Sequence, residues 1–191
     1  MKPALFHEDF GFRARLELGY DQVRAEWDAL PLTELREWPQ EGAYSGQWGV
    51  FGFYMAGRRL SRNCEVCPET ARLLDAIPGL FSAGYSVLGP KTFLPPHRGE
   101  RADMLRCHLG IVVPDHCALR LGGADHRWGE GRTIVFDDTV EHEAWNRSDD
   151  LKVLLLIDFQ RPDHLLDGIE PQVGQDQRDT SLYEGLFPDW R

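Results

Sequence analysis

His97, in the run Pro96-His97-Arg98-Gly99, and His142, in Phe136-Asp137-Asp138-Thr139-Val140-Glu141-His142-Glu143-Ala144-Trp145, are the residues of this chain best placed to do chemistry. Each follows an apolar, strand-like stretch, and neutral imidazole is the commonest protein ligand for a metal. A non-haem Fe(II) oxygenase needs a few protein ligands on one face of the ion and leaves the other face open for co-substrate and dioxygen. In the usual arrangement the first histidine and a carboxylate two residues on share one side of a strand, because side chains alternate with period two. Here that second position is Gly99, which has no side chain to give. Glu100 is the nearest acid, but from a regular strand it leaves on the face opposite His97, so only a bulge or turn would admit it. Asp138, four residues before His142, is then a candidate to hold a metal-bound water, an orienting role that tunes metal sites.

Other reactive residue types carry weaker signals. His7, His116, His126 and His164 stand alone and read as structural or surface histidines. Arg106, between Leu105 and Cys107 in an apolar run, is expected to face a pocket, since a buried charge needs a partner. Cys64-Glu65-Val66-Cys67 precedes Pro68 and a helical stretch, the setting of a redox pair or half a zinc site. The other half is missing, because Cys107 and Cys117 have no such spacing and no thioredoxin pattern surrounds the first pair. All four cysteines read as reduced structural thiols.

The elements that must position the histidines are mainly strands. Asp21 to Leu30 places Val23, Trp27 and Leu30 on one helical face, with Asp21 as N-cap and Pro31 as stop. Gln47 to Ala56 is aromatic and glycine-punctuated, as a buried strand with bulges is. Pro68-Glu69-Thr70 opens a second helix, Ala71 to Ile77, closed by Pro78-Gly79. Beyond Phe81, short β-prone runs follow at Tyr85 to Leu88, Leu105 to Val113, Ala118 to Leu121, Arg132 to Phe136 and Val153 to Phe159, separated by turn residues. Many short strands imply a sandwich or barrel. Residues 161–191 are acidic, poor in aliphatics and broken by Pro162-Asp163, Pro171-Gln172 and Pro188-Asp189, the pattern of an appended tail or lid.

Composition narrows the partners. With 191 residues, 42% of them hydrophobic, the chain can bury a full core and fits one domain better than two. A net charge of −10 repels phosphate, which argues against nucleic acid and anionic membrane surfaces. The start, Met1 to Asp9, resembles neither a signal nor a transit peptide, and no run reaches membrane-spanning length, so the expected location is cytoplasmic.

Ser86-Val87-Leu88-Gly89-Pro90-Lys91-Thr92-Phe93-Leu94-Pro95-Pro96-His97-Arg98-Gly99, followed by Leu105-Arg106-Cys107-His108-Leu109-Gly110-Ile111, resembles the aspartyl/asparaginyl β-hydroxylase family. Arg58-Arg59, Asn63-Cys64 and Pro68-Glu69-Thr70 precede these blocks, and Trp128-Gly129-Glu130-Gly131 and Phe136 to Trp145 follow them, in family order. An ordered series is far more specific than any single block.

The resemblance implies a mainly β fold, a double-stranded β-helix of the jelly-roll or cupin-like kind with flanking N-terminal helices. The oxygenase domain would span residues 1–160 and the tail or lid 161–191. It also implies Fe(II), with 2-oxoglutarate and O2 as co-substrates, and hydroxylation of an unactivated carbon as 2-oxoglutarate becomes succinate. Family members also lack the usual carboxylate, as Gly99 does here. His97 and His142 match the iron ligands; Ser86, His108 and Lys152 match co-substrate-binding positions, the last usually arginine. Lysine offers a point charge where arginine offers a fork. Arg106 matches an arginine near the substrate carboxylate and joins Asp138 as a catalytic candidate. Met104 replaces a usually basic residue, so the expected substrate is an amino acid, peptide or related small molecule other than aspartate in the family's usual context. A halogenase, with chloride in the vacated position, and a non-catalytic or zinc-binding β-barrel are the alternatives.

Overall fold

The computed structural model describes residues 4–40, 42–169 and 186–187. A short strand, β1 (Leu5–Phe6), leads to helices α1 (Arg13–Leu18) and α2 (Tyr20–Ala29). Val23, Trp27 and Leu30 are buried, as their helical spacing predicts. Asp21 lies in the first turn of α2 and Gly19 takes the cap, because α1 runs into α2 through that glycine. The expectation of an Asp21 cap is corrected accordingly. Only Leu16 of α1 is buried, so that helix has too little apolar periodicity to be seen in advance.

Strands β2 (Arg36–Glu37), β3 (Trp48–Met55) and β4 (Arg58–Arg59) follow, then helices α3 (Ser61–Val66) and α4 (Pro68–Asp75). The register of β3 shifts between Gly52 and Tyr54, the irregularity its glycines predict. Pro68 opens α4, and the Glu26 carboxylate of α2 accepts from Glu69 N (2.7 Å), Thr70 N (2.8 Å) and Thr70 Oγ1 (2.7 Å). This carboxylate satisfies amides that would otherwise be orphaned at the helix start and ties the two helices together. Cys64, Cys67, Cys107 and Cys117 are buried free thiols. Burial pushes Cys67 and Cys107 up to about 12, which makes them poor nucleophiles.

The remaining strands are β5 (Leu80–Leu88), β6 (Thr92–His97), β7 (Met104–Val112), β8 (Cys117–Leu121), β9 (Ala124–His126), β10 (Thr133–Phe136), β11 (His142–Asn146) and β12 (Lys152–Gln160). Among the described residues they form two sheets, β1-β10-β7-β12-β5-β3-β2 with β4 beside β3, and β6-β11-β8-β9. Every named pair is antiparallel. The result is a mainly β double-stranded β-helix of the jelly-roll kind, with the helices against the outer face of the large sheet. Strands β6 and β11 lie outside the runs expected from sequence. Pro95 and Pro96 make β6 look broken, yet β6 ends the small sheet, where a missing amide donor is tolerated.

Period two divides the large sheet. Val153, Leu155, Ile157 and Phe159 of β12 join Leu105, Cys107, Leu109 and Ile111 of β7 in the core beneath the helices. Leu154 and Leu88 instead join Leu94, Leu119 and Phe136 between the sheets. Side chains alternating with Val153 and Cys107 therefore turn inward, and they include Lys152, Arg106 and His108. Past β12, Arg161 is buried against Asp137 (2.6 Å) and the Ala102 carbonyl (2.8 Å). Leu186 and Phe187 pack with Val50 and Leu60. Pro171-Gln172 and Pro188-Asp189 lie outside the described residues. No described helix is long and apolar enough to cross a membrane.

Candidate active site

His97 ends β6, His142 begins β11, and the two are cross-strand partners with ring centroids 4.1 Å apart. Each Nδ1 faces the carbonyl two residues earlier: His97 that of Pro95 at 2.8 Å, His142 that of Val140 at 2.9 Å. A carbonyl only accepts, so each Nδ1 carries the proton and each Nε2 presents its lone pair, the arrangement that orients histidine ligands. His142 is buried and His97 is exposed, which sets the pair at a lip between core and solvent. Burial first, with the nearby Arg106 charge adding to it, pushes His142 down to about 4, so its lone pair is available at neutral pH.

Gly99 follows, and its amide donates to the Asp138 carbonyl (2.7 Å). A Cβ on residue 99 would collide with the Asp138 carboxylate. The space that a side chain at position 99 would need is thus filled from the other strand's approach by an acid. Asp138 is 8% exposed, with Arg106 Nη2 at 3.3 Å. Burial raises its pKa while Arg106 opposes the rise. Glu100 is exposed in a bend after β6. Among the described residues no three His, Cys, Asp or Glu side chains converge on a metal-sized point.

Behind the histidines, Ser86 of β5, His108 of β7 and Lys152 of β12 are all buried on the inward row. Ser86 Oγ accepts from Trp48 Nε1 (3.0 Å), which leaves its own proton to donate. Lys152 Nζ lies 4.0 Å from the centre of the Trp128 ring, and among the described residues it has no carboxylate partner. Burial pushes its ammonium down to about 7. His108 Nε2 is buried without a hydrogen-bond partner among the described residues. Two cationic or donor groups buried without an acid are costly unless an anion arrives to meet them. Phe136 joins this pocket to the histidine pair, with its ring 5.0 Å from His108 and 5.5 Å from His142.

A sequence model of the family described as Aspartyl/Asparaginyl beta-hydroxylase matches residues 17–162, more than half of the chain. The chain belongs to the aspartyl/asparaginyl β-hydroxylase family. Among relatives of this β-hydroxylase-family protein, the ornithine lipid ester-linked acyl 2-hydroxylase of Rhizobium tropici is 35% identical over 165 residues, covering 80% of this chain and 58% of that protein. Aspartate beta-hydroxylase domain-containing protein 2 of Mus musculus is 35% identical over 161 residues, covering 77% and 47%. The chain thus spans about half the length of these relatives. A solved Pseudomonas putida prolyl-4-hydroxylase superposes with a TM-score of 0.48 at 20% identity, over 75% of this chain and 88% of that one.

Within this family member, the seven residues singled out from sequence lie in one connected region. His97 and His142 pair at the lip, with the Asp138 carboxylate beside Gly99; Ser86, His108 and Lys152 line the pocket. Arg106 stands at its mouth, where Asp158 grips it with Nε–Oδ1 and Nη2–Oδ2 distances of 2.7 and 3.0 Å. Asp158, Trp48, Phe136 and Trp128 are parts of the site that sequence reasoning left out. Asp158 shares the period-two row of Lys152, and Trp128 lies in the Trp-Gly-Glu-Gly block, so both had a usable signal. Phe136 opens the Phe136 to Trp145 block and so had a signal too, whereas Trp48 had none beyond being an aromatic residue in an apolar run.

Proposed function

We propose that this protein is an Fe(II)- and 2-oxoglutarate-dependent hydroxylase acting on an amino acid, a peptide or a related small molecule. The observation that carries the reading is the buried pair of His108 Nε2 and Lys152, without an acid partner among the described residues, behind two histidines whose Nδ1 atoms are bonded to carbonyls. These residues fit the groups the reading requires. His97 and His142 would hold the iron, and with Gly99 where a carboxylate ligand would stand, more of its coordination sphere is left to water and co-substrate. Lys152 would pair with the distal carboxylate of 2-oxoglutarate, with Ser86 and His108 donating further hydrogen bonds to the bound dianion.

With iron bound, the chemistry supplied is reduction of O2 by two electrons from 2-oxoglutarate and two from a substrate C–H bond, giving succinate, CO2 and the alcohol. The chain's own residues do the rest. Nδ1–H bonds to Pro95 and Val140 fix both histidine rings, and the Phe136 ring packs edge-on against both His108 and His142. Asp138, against Gly99 and in reach of Arg106, would accept a hydrogen bond from a metal-bound water. That same carboxylate disfavours chloride beside Gly99, because two anions there repel, and the halogenase alternative loses its motive.

Arg106 is already engaged by Asp158 and Asp138, and Met104 adds no charge beside it on β7. This favours a substrate without a free carboxylate at that point. The relatives' names, one for an acyl chain of ornithine lipid and one for aspartate, span both possibilities. A succinate-release screen over free amino acids, peptides and acylated amino acids, with mass spectrometry of the best hit, tests the proposal. A product heavier by one oxygen supports it; no succinate with any acceptor and Fe(II) present would count against it.

A further inference from the structure

Trp128 touches both of the pocket's cationic or donor residues, and no role follows for it from the metal pair. Its indole Nε1 lies 3.3 Å from His108 Nδ1. Indole nitrogen only donates, so His108 Nδ1 must accept and carries no proton. Burial first, then the charges of Arg106 and Lys152, keep the imidazole neutral by lowering its pKa well below the usual histidine value. The single ring proton is therefore on Nε2, the buried nitrogen without a partner among the described residues. The same indole lies under Lys152 Nζ at 4.0 Å, so the ammonium rests on the ring's negative face in place of a carboxylate.

The loop that carries Trp128 is clamped. A Cβ at Gly110 would overlap the Gly129 carbonyl, so only glycine in β7 lets the loop lie this close. Gly131 N donates to the Gly110 carbonyl (2.9 Å) and Gly110 N to that of Arg132 (3.1 Å). Glu130 accepts from Val113 N (3.0 Å). The titratable groups facing Lys152 are Cys117 of β8 and His108 of β7, and neither supplies a fixed negative charge at neutral pH.

We propose that Trp128 is a positioning residue for the co-substrate: by one indole it sets the His108 tautomer and holds the Lys152 ammonium, so that two donors await the same anion. This rests on the reading of the pocket as a 2-oxoglutarate site, and Trp128 itself need not touch the bound molecule. It is preorganisation, because both donors are oriented before the anion arrives.

Two measurements test it. Long-range proton–nitrogen NMR of the metal-free wild-type protein should show His108 as the Nε2–H tautomer; an Nδ1–H tautomer would overturn the proposal. Calorimetric titration of 2-oxoglutarate into Mn(II)-loaded protein across pH then separates the two contacts. Trp128→Phe keeps a ring under Lys152 and loses the indole N–H, so affinity should fall roughly three- to tenfold at every pH with the pH midpoint of binding unmoved. Trp128→Leu should also shift that midpoint down by about half a pH unit or more, since the charged lysine loses its ring. Variants that melt earlier yet keep the wild-type affinity and pH midpoint would show a merely structural tryptophan and overturn the proposal. Wild-type protein that binds no 2-oxoglutarate at any pH would instead bring down the co-substrate reading, with this inference falling as its consequence.

Discussion

Lys152→Met should make the protein more stable and sharply weaken its binding of 2-oxoglutarate. Lys152 is 2% exposed, and burial pushes its ammonium from 10.5 down to about 7. Folding must therefore either strip a proton that the unfolded chain would keep or bury the charge. At ~1.36 kcal/mol per tenfold change in proton affinity, the difference is on the order of 4 kcal/mol near neutral pH. Methionine has similar volume and no charge to desolvate. Allowing for packing loss, a gain of about 2–4 kcal/mol is expected, a rise in Tm of roughly 5–15 °C for a chain of this size. The pH dependence fixes the sign. The unfolded state binds the extra proton between about 7 and 10.5, so wild-type stability rises with pH through that window. The advantage of the variant is then full below about 7 and gone above 10.5. Calorimetric melting of both proteins from pH 6 to pH 9, with 2-oxoglutarate titrations alongside, reads every element. A variant that melts lower at pH 6, or that binds 2-oxoglutarate as the wild type does, would refute the reasoning.

Affinity of the wild type for 2-oxoglutarate should fall as pH rises, roughly tenfold per unit above the pKa of about 7, whereas Lys152→Arg should bind with a flat profile; a flat wild-type profile in titration calorimetry contradicts this. His142→Ala and His97→Ala should each abolish tight Fe(II) binding in equilibrium dialysis without unfolding the barrel, and retention of stoichiometric iron by either would remove that residue from the ligand set. Gly99→Ala should destabilise by about 1–3 kcal/mol in denaturant melts, since its Cβ would overlap the Asp138 carboxylate, and Gly99→Ala/Asp138→Gly should recover most of that loss. Asp138→Ala should keep the fold and lose turnover at least tenfold, and full iron affinity with full turnover would sink its water-holding role.

The strands that build the pocket were readable because their apolar runs are strong: β5 and β12 contain an expected segment, and β7 and β10 match theirs to within a residue at either end. What escaped was set by tertiary context. β6 hides behind Pro95 and Pro96, which are acceptable only at a sheet edge, and α1 buries a single leucine. At the site, His97 and His142 were singled out by residue type and spacing, Ser86, His108 and Lys152 through the family resemblance, and the fold adds how they relate. Sequence spacing placed Asp138 four residues before His142, but gave no sign that its carboxylate fills the space beside Gly99. Nor could it show that Asp158 engages Arg106, because that pairing depends on the β12–β7 register.

The most direct test of the two-histidine, 2-oxoglutarate reading is an anaerobic titration of 2-oxoglutarate into the Fe(II)-loaded protein, followed by visible absorption. A charge-transfer band should appear and saturate at one equivalent, be absent in His142→Ala, and require far more 2-oxoglutarate in Lys152→Met. No band in the wild type, or the same band at the same concentration in Lys152→Met, would contradict the site as described.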